Sequence, residues 1–470
     1  MMPRVMQRFK ALNSDRIAAI LFAVAVGFAI WLYGVLAHRN DLFPYPQLHA
    51  VLIQAQKGLT LIRGQVKPED GWFFYRRPAE SVPETHTYLP GAVSKAPVLV
   101  YGIDEDRKMA IRIIDNEGTV LHQWVIDIFA LWPETDHIPE RDRPKADPGG
   151  EIHGLVITSK GDIVFNFEPF GLIRLDYCGN PVWRLPAFTH HSVERDGDGG
   201  FIVSEQDYVA EPGHKDEFGN VETFREYVTF VSAQGKVLER ISVNDLLLEN
   251  GLGGLYYLAA HAPFGLHFGD NDLLHLNDAE IFPADLKPGV FGPGDILVSL
   301  RNLNTVIVFN RATRKIKYAY TGSFVMQHDP DFISGDEISL FDNHAVVKSD
   351  MNRRERPADV FSRIVILNAR DKSERVFFQG SKEVPFFSDI MGKHQWLPNG
   401  NLLVTEARWG RVFELTPDGK LAWEYNNVLD RGIAEGLLGM VLGGLRLPAG
   451  LDRQRIAELG RSCASRPVAP

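Results

Sequence analysis

Cysteine is nearly missing from this chain: there are two in 470 residues, Cys178 and Cys463. Neither belongs to a CxxC pair, which argues against a thiolate zinc site, and spacing alone does not say whether the two bond to each other. Basic charge is short too, with 50 Lys and Arg against 60 Asp and Glu and a formal net charge of −10. No basic stripe with interleaved aromatics offsets that balance, so nucleic acid is not an expected partner. The chain has no GxxxxGK(S/T) loop, and Gly251-Leu-Gly-Gly lacks the strand–helix setting of a dinucleotide fingerprint. Room for helices between strands is scarce, which sets aside a doubly wound α/β fold.

One long apolar run is present, Ile17–Ala37, and about 20 such residues cross a bilayer as a helix. Arg4, Arg8, Lys10 and Arg16 precede it, so the positive-inside rule puts the N-terminus in the cytoplasm. The expectation is an uncleaved single-pass anchor in the inner membrane with the remainder facing the periplasm. A cleavable signal is the rival, since Val35-Leu-Ala37 loosely resembles a cleavage site, but the run is long for that role.

The chain beyond residue 96 is repetitive. Five short units begin with a histidine, at His153, His191, His275, His328 and His394. Each leads through a Gly/Asp/Asn turn to a strand, at Asp162–Phe165, Gly200–Ser204, Asp295–Leu300, Glu337–Phe341 and Asn401–Thr405. Apolar hairpins recur at Ala110–Ile126, Gly171–Leu185, Tyr227–Ile241, Thr305–Thr321, Arg363–Phe378 and Gly410–Tyr425. Four of them carry a turn glycine, Gly118, Gly179, Gly235 and Gly419, and their flanks alternate with Val, Ile, Phe and Trp. Six four-stranded units of roughly 55 residues predict an all-β, six-bladed β-propeller behind an N-terminal transmembrane helix.

The expected organisation is a basic N-terminus (1–16), the anchor (17–37), a connector (38–96), the propeller (97–427) and an apolar tail (428–470). Within the connector, Leu48–Gly64 reads as an amphipathic helix. The inner strand of the first blade has two candidates: Thr85–Pro90 with His86, or the chain after Tyr425. The tail segment Leu429–Leu447 reads as a helix packed on the barrel.

Propeller geometry puts each unit's first strand nearest the axis, so the repeat histidines are expected to converge at one mouth. Around them the order of motifs is specific. Gln327-His328-Asp329-Pro-Asp-Phe precedes Phe341-Asp342-Asn343-His344, and His275-Leu-Asn277-Asp278 precedes Leu300-Arg301. A His190-His191 pair lies one blade earlier, and Gly410–Tyr425 forms the last hairpin. This succession, from Pro97 to Tyr425, resembles the arylsulfotransferase family, six-bladed propellers of the bacterial periplasm.

The resemblance implies sulfuryl transfer from an aryl sulfate donor to a phenolic acceptor, with no nucleotide donor, no cofactor and no metal. His328 matches the nucleophile, which would form a sulfohistidine and give ping-pong kinetics. Arg301 would hold the sulfuryl oxygens, and His275 and His191 would manage the proton of the leaving phenol. His190, Asn343, His153 and His394 complete the expected pocket. Two positions depart from the family: His344 stands where glycine is usual, and Asp278 where a small hydroxyl residue is common. Two other function classes fit the repeat: a metal-dependent propeller hydrolase, and a non-catalytic anchored propeller that binds a partner through Asp207–Glu226 and Tyr256–Asp272.

Overall fold

The computed structural model describes residues 14–39, 42–43, 73–78, 81–197, 199–207, 224–260, 272–346 and 356–464. The helix expected over Leu48–Gly64 and most of the two inserts fall outside those residues.

Six antiparallel sheets make the propeller. Blade two runs Leu155–Ile157, Ile163–Phe167, Gly171–Leu175, Pro181–Leu185 from axis to rim. Blade three begins on Phe188–Arg195, blade four on Leu276–Ile281, blade five on His328–Phe332 and blade six on Lys393–Trp396. The predicted hairpins form the outer pairs. The four turn glycines have φ between 76° and 87°, and Arg314 and Lys372 take the same left-handed region, at 57° and 58°, in the turns that lack one.

The core lies between blades. Side chains alternate across each sheet and meet the neighbouring one, as Val164 meets Val203, Phe230 meets Ile307 and Phe341 meets Phe413. These residues are buried, and each large apolar side chain contributes about 1.5–3 kcal/mol by leaving water.

Blade one takes its inner strand from the C-terminal end. Val441–Arg446 pairs with Val98–Ile103, which continues through Met109–Ile114 to Val120–Ile126. The helix expected over Leu429–Leu447 is therefore corrected: after a 3-10 turn at Gly432–Ala434 the chain forms strands at Leu438–Gly439 and Val441–Arg446, because its glycines fit a crowded sheet better than a helix. A Cβ on Gly443 would lie 2.2 Å from the Tyr101 hydroxyl. Thr85–Thr87, the other candidate, is instead the fifth and outermost strand of blade six, pairing with Trp423–Tyr425.

Beyond the closing strand, Arg453–Ala464 is a helix, and Cys463 is bonded to Cys178 in the outer hairpin turn of blade two. The bond joins positions 285 residues apart. An N-terminal helix covers Ser14–Arg39. Its span Ile17–Ala37 has mean hydropathy 2.4 and is the one described helix long and apolar enough to cross a membrane.

Closure is clamped by a buried ion pair. Arg446 donates to Glu414 Oε2 through Nε and Nη2 at 3.1 and 2.7 Å, and to Asn116 Oδ1 and the Ala96 carbonyl at 2.6 Å. Arg446→Met leaves Glu414 buried without its cation, so it should cost about 3–5 kcal/mol. Urea unfolding reads this directly, and Glu414→Gln on that background should recover part of the loss. An unchanged midpoint would show that the pair does not hold the ring shut.

Candidate functional site

Five histidines and an arginine meet where the inner strands of blades two to five begin. His190 and His191 stand on the inner strand of blade three, His275 directly before that of blade four, and His328 at the start of blade five. His153 precedes blade two. His191 and His275 adopt φ of 55° and 54°, a region that β-carbon crowding makes unfavourable, so the fold holds both rings against a backbone cost.

The rings form a chain. His275 Nδ1 bonds Asp272 Oδ2, His275 Nε2 lies 3.2 Å from His191 Nε2, and His191 Nδ1 lies 2.8 Å from His190 Nδ1. Against the opposing pull of burial, the His275 hydrogen bond and the Arg301 charge hold the Asp272 carboxyl well below the usual range. Burial lowers the histidines: His190 falls to about 4 and His191 well below its ordinary value, with the His153 charge adding to the latter. His275 is lowered by burial and then by Arg301. With three neutral imidazoles one proton order is consistent. His275 donates to Asp272, His191 to His275 and His190 to His191, which leaves His190 Nε2 as a buried lone pair without a partner.

His328 is fixed differently. Its Nδ1 lies 2.7 Å from Asn343 Oδ1 and 3.1 Å from the Met326 carbonyl. Asn343 Nδ2 donates to the carbonyls of Ser388 and Met391 at 2.9 and 2.6 Å, so its oxygen must face the ring. Both contacts on Nδ1 are acceptors. Nδ1 therefore carries the proton and Nε2 presents the lone pair. Burial and then the Arg301 charge keep this ring neutral, well below the usual histidine range. Arg301 is buried, and desolvation lowers it only to about 10, so it stays charged at neutral pH. Its Nη2 lies 4.0 Å from Asp272 Oδ2.

His153 is the exception. Burial alone would lower it, but Glu151 at 3.0 Å and Glu168 at 3.1 Å push it up to about 10. A void of about 20 Å³, room for one water, lies among His153, His191, Asn277, His328 and Lys393. A cleft of about 450 Å³ borders the two glutamates and is walled by Phe73, Phe74, Phe188 and Phe224.

His394 is not brought into this group. The inner strand of blade six starts one residue earlier, at Lys393, so His394 takes the second place, as Asp329 does in blade five. Its ring bonds Ser339 Oγ at 2.7 Å and Asp329 Oδ2 at 3.1 Å. It lines a vestibule of about 1940 Å³ at the far ends of the inner strands, with Glu194, Glu280, Asp331 and Lys393.

Several of these groups were not singled out from the sequence. Asp272 lies at the end of an insert, three residues before His275, and that spacing was the one usable signal. Glu151, Glu168 and Lys393 carried none, because they converge only through the blades. Glu226 accepts the backbone N–H of His275 at 3.0 Å from a neighbouring blade, and so positions that ring.

The vestibule is acidic. Burial raises Glu194 to about 7 from 4.5, and Asp278, Glu280 and Asp331 are also raised by burial. Between those two pH values the folded chain holds a proton on Glu194 that the unfolded chain releases, so this group's contribution to stability falls as pH rises. Glu194→Gln removes that component. The stability of wild type relative to the variant should decline from pH 4.5 to pH 7 in urea titrations; a flat difference would place the carboxyl in water.

Comparison with known proteins gives a family match. Residues 154–428, more than half of the chain, fit the family model described as arylsulfotransferase (ASST). No curated protein matches. Among solved structures, a protein of unknown function from Bacteroides caccae is 13% identical with a TM-score of 0.45, over 74% of this chain and 98% of that one. A virginiamycin B lyase from Staphylococcus aureus is 10% identical with a TM-score of 0.33, over 58% and 69%. Neither bears on function.

Proposed function

Because the chain belongs to the arylsulfotransferase family, we propose that it transfers a sulfuryl group from an aryl sulfate to a phenol through a sulfohistidine at His328. The observation that carries this reading is the Asn343–His328 pair, which leaves Nε2 as an unprotonated nucleophile. Nε2 attacks sulfur, the S–O bond to the donor phenol breaks, and the phenolate departs as the anion and takes its proton from water. In the second half, the acceptor oxygen attacks sulfur, the N–S bond breaks, and the acceptor's proton passes into the neutral His275–His191–His190 chain and from there to water. The Arg301 guanidinium balances charge on the sulfuryl oxygens throughout. The aromatic cleft beside Glu151 and Glu168 is large enough for the aryl group. In this reading His153 borders the void beside His328 and His190 ends the imidazole chain, while His394 is left to the vestibule.

The propeller is proposed to face the periplasm from a single-pass anchor. The basic residues before Ile17 favour that orientation, and the Cys178–Cys463 bond suits an oxidising compartment.

Incubating the purified chain with an aryl sulfate, with and without phenol, tests the reading. Acceptor-dependent release of the donor phenol should fall by at least about 10³-fold in His328→Asn and His328→Ala, or about 4 kcal/mol of barrier. Activity surviving in both would remove His328 as the nucleophile. The pH profile is a separate check. A ring whose pKa lies below 6.5 stays neutral down through that pH, so the acid limb of kcat/KM should lie below 6.5. A limb at or above it would mean the active nucleophile is not this ring.

A further inference from the structure

We propose that His153, His191 and Glu168 form a binding site for one divalent transition-metal ion, with zinc as the best chemical match. One nitrogen from each ring and one Glu168 oxygen lie within 4.8 Å of one another. His153 Nδ1 and Glu168 Oε2 are 3.1 Å apart, yet both are buried and neither makes a hydrogen bond. With His153 protonated this contact is an ion pair, and release of that proton on metal binding would free Nδ1 to share an ion with Glu168. Two ligands each about 2.1 Å from a shared ion stand roughly 3.0–3.4 Å apart, so the observed spacing is that of a coordination edge.

The far side of His153 fits the same role. Its Nε2 is 3.0 Å from Glu151 Oε1. A ligating imidazole nearly always turns its remote N–H to a carboxylate, which fixes its tautomer and orientation. His153 is only 8% exposed, so water does not satisfy its nitrogens. Both rings border the 20 Å³ void, which offers space for one further ligand. Two imidazoles, one carboxylate and an open position are a zinc ligand set, and with both cysteines in a disulfide no thiolate selects a softer ion.

A bound ion would take one nitrogen of His191 in exchange for its contact with His190 or His275, and so would break the imidazole chain at that ring. The other group of suitable spacing, Asp329, Asp331 and His394, is weaker. Lys393 Nζ already sits 2.9 Å from Asp329 Oδ1, and the His394 N–H and ring hold Asp329 Oδ2 at 2.6 and 3.1 Å.

The site shares His191 with the proposed sulfuryl-transfer machinery, but its test needs no turnover. The full chain in detergent, stripped with a chelator, is titrated with Co²⁺ and followed by visible absorption and Tm. One equivalent should bind, with d–d bands and a raised Tm. Glu168→Gln and His153→Asn should weaken binding at least about a hundredfold, and Asp331→Asn should leave it unchanged. No uptake by wild type at millimolar Co²⁺, unchanged binding in Glu168→Gln, or loss in Asp331→Asn would each overturn the site. If His153→Asn does not fold, the wild-type and Glu168→Gln titrations decide.

Discussion

The propeller depends on one strand arriving last. Val441–Arg446 is the axial strand of the first blade, and without it Val98–Ile103 would present an open edge to the channel. The strand is held at its end by Arg446, which reaches across to Glu414 in blade six and to Asn116 in blade one. That one guanidinium joins the two ends of the ring. The helix after it is tied to blade two by the Cys178–Cys463 bond, so closure is secured by chemistry of two kinds in succession. The position of the histidines depends on closure, since inner strands share one axis only in a complete ring.

The channel has two unlike ends. At one, burial strips protons from His190, His191, His275 and His328, while Arg301 and His153 keep their charge. At the other, burial raises Glu194, Asp278, Glu280 and Asp331, around a Lys393 that is raised well above its ordinary value by Asp329 despite burial. The same desolvation therefore favours the neutral form of bases at one end and of acids at the other. The few charges that remain, Arg301 and the Lys393–Asp329 pair among them, lie between or beside these groups and fix where an anion is welcome.

The repeat was legible because two periods coincide in it: alternation within strands, and turn residues at blade spacing. Turn glycines such as Gly118 and Gly179 gave the hairpins away. The closing strand was harder, since Val441-Leu-Gly-Gly-Leu-Arg446 has apolar residues without the partner that reveals it as β; that partner lies more than 300 residues earlier. His394 illustrates the limit of reading a site from phase. A shift of one residue in a strand turns a side chain elsewhere, and Lys393 supplied that shift. Glu151 and Glu168 were invisible for the opposite reason: their spacing to the histidines is set by loops, not by any period.

His191 and His275 both stand in a backbone conformation that glycine enters at lower cost. Replacing either histidine with glycine would relax the chain while removing the ring, so at these two places local stability and the imidazole cluster pull in opposite directions.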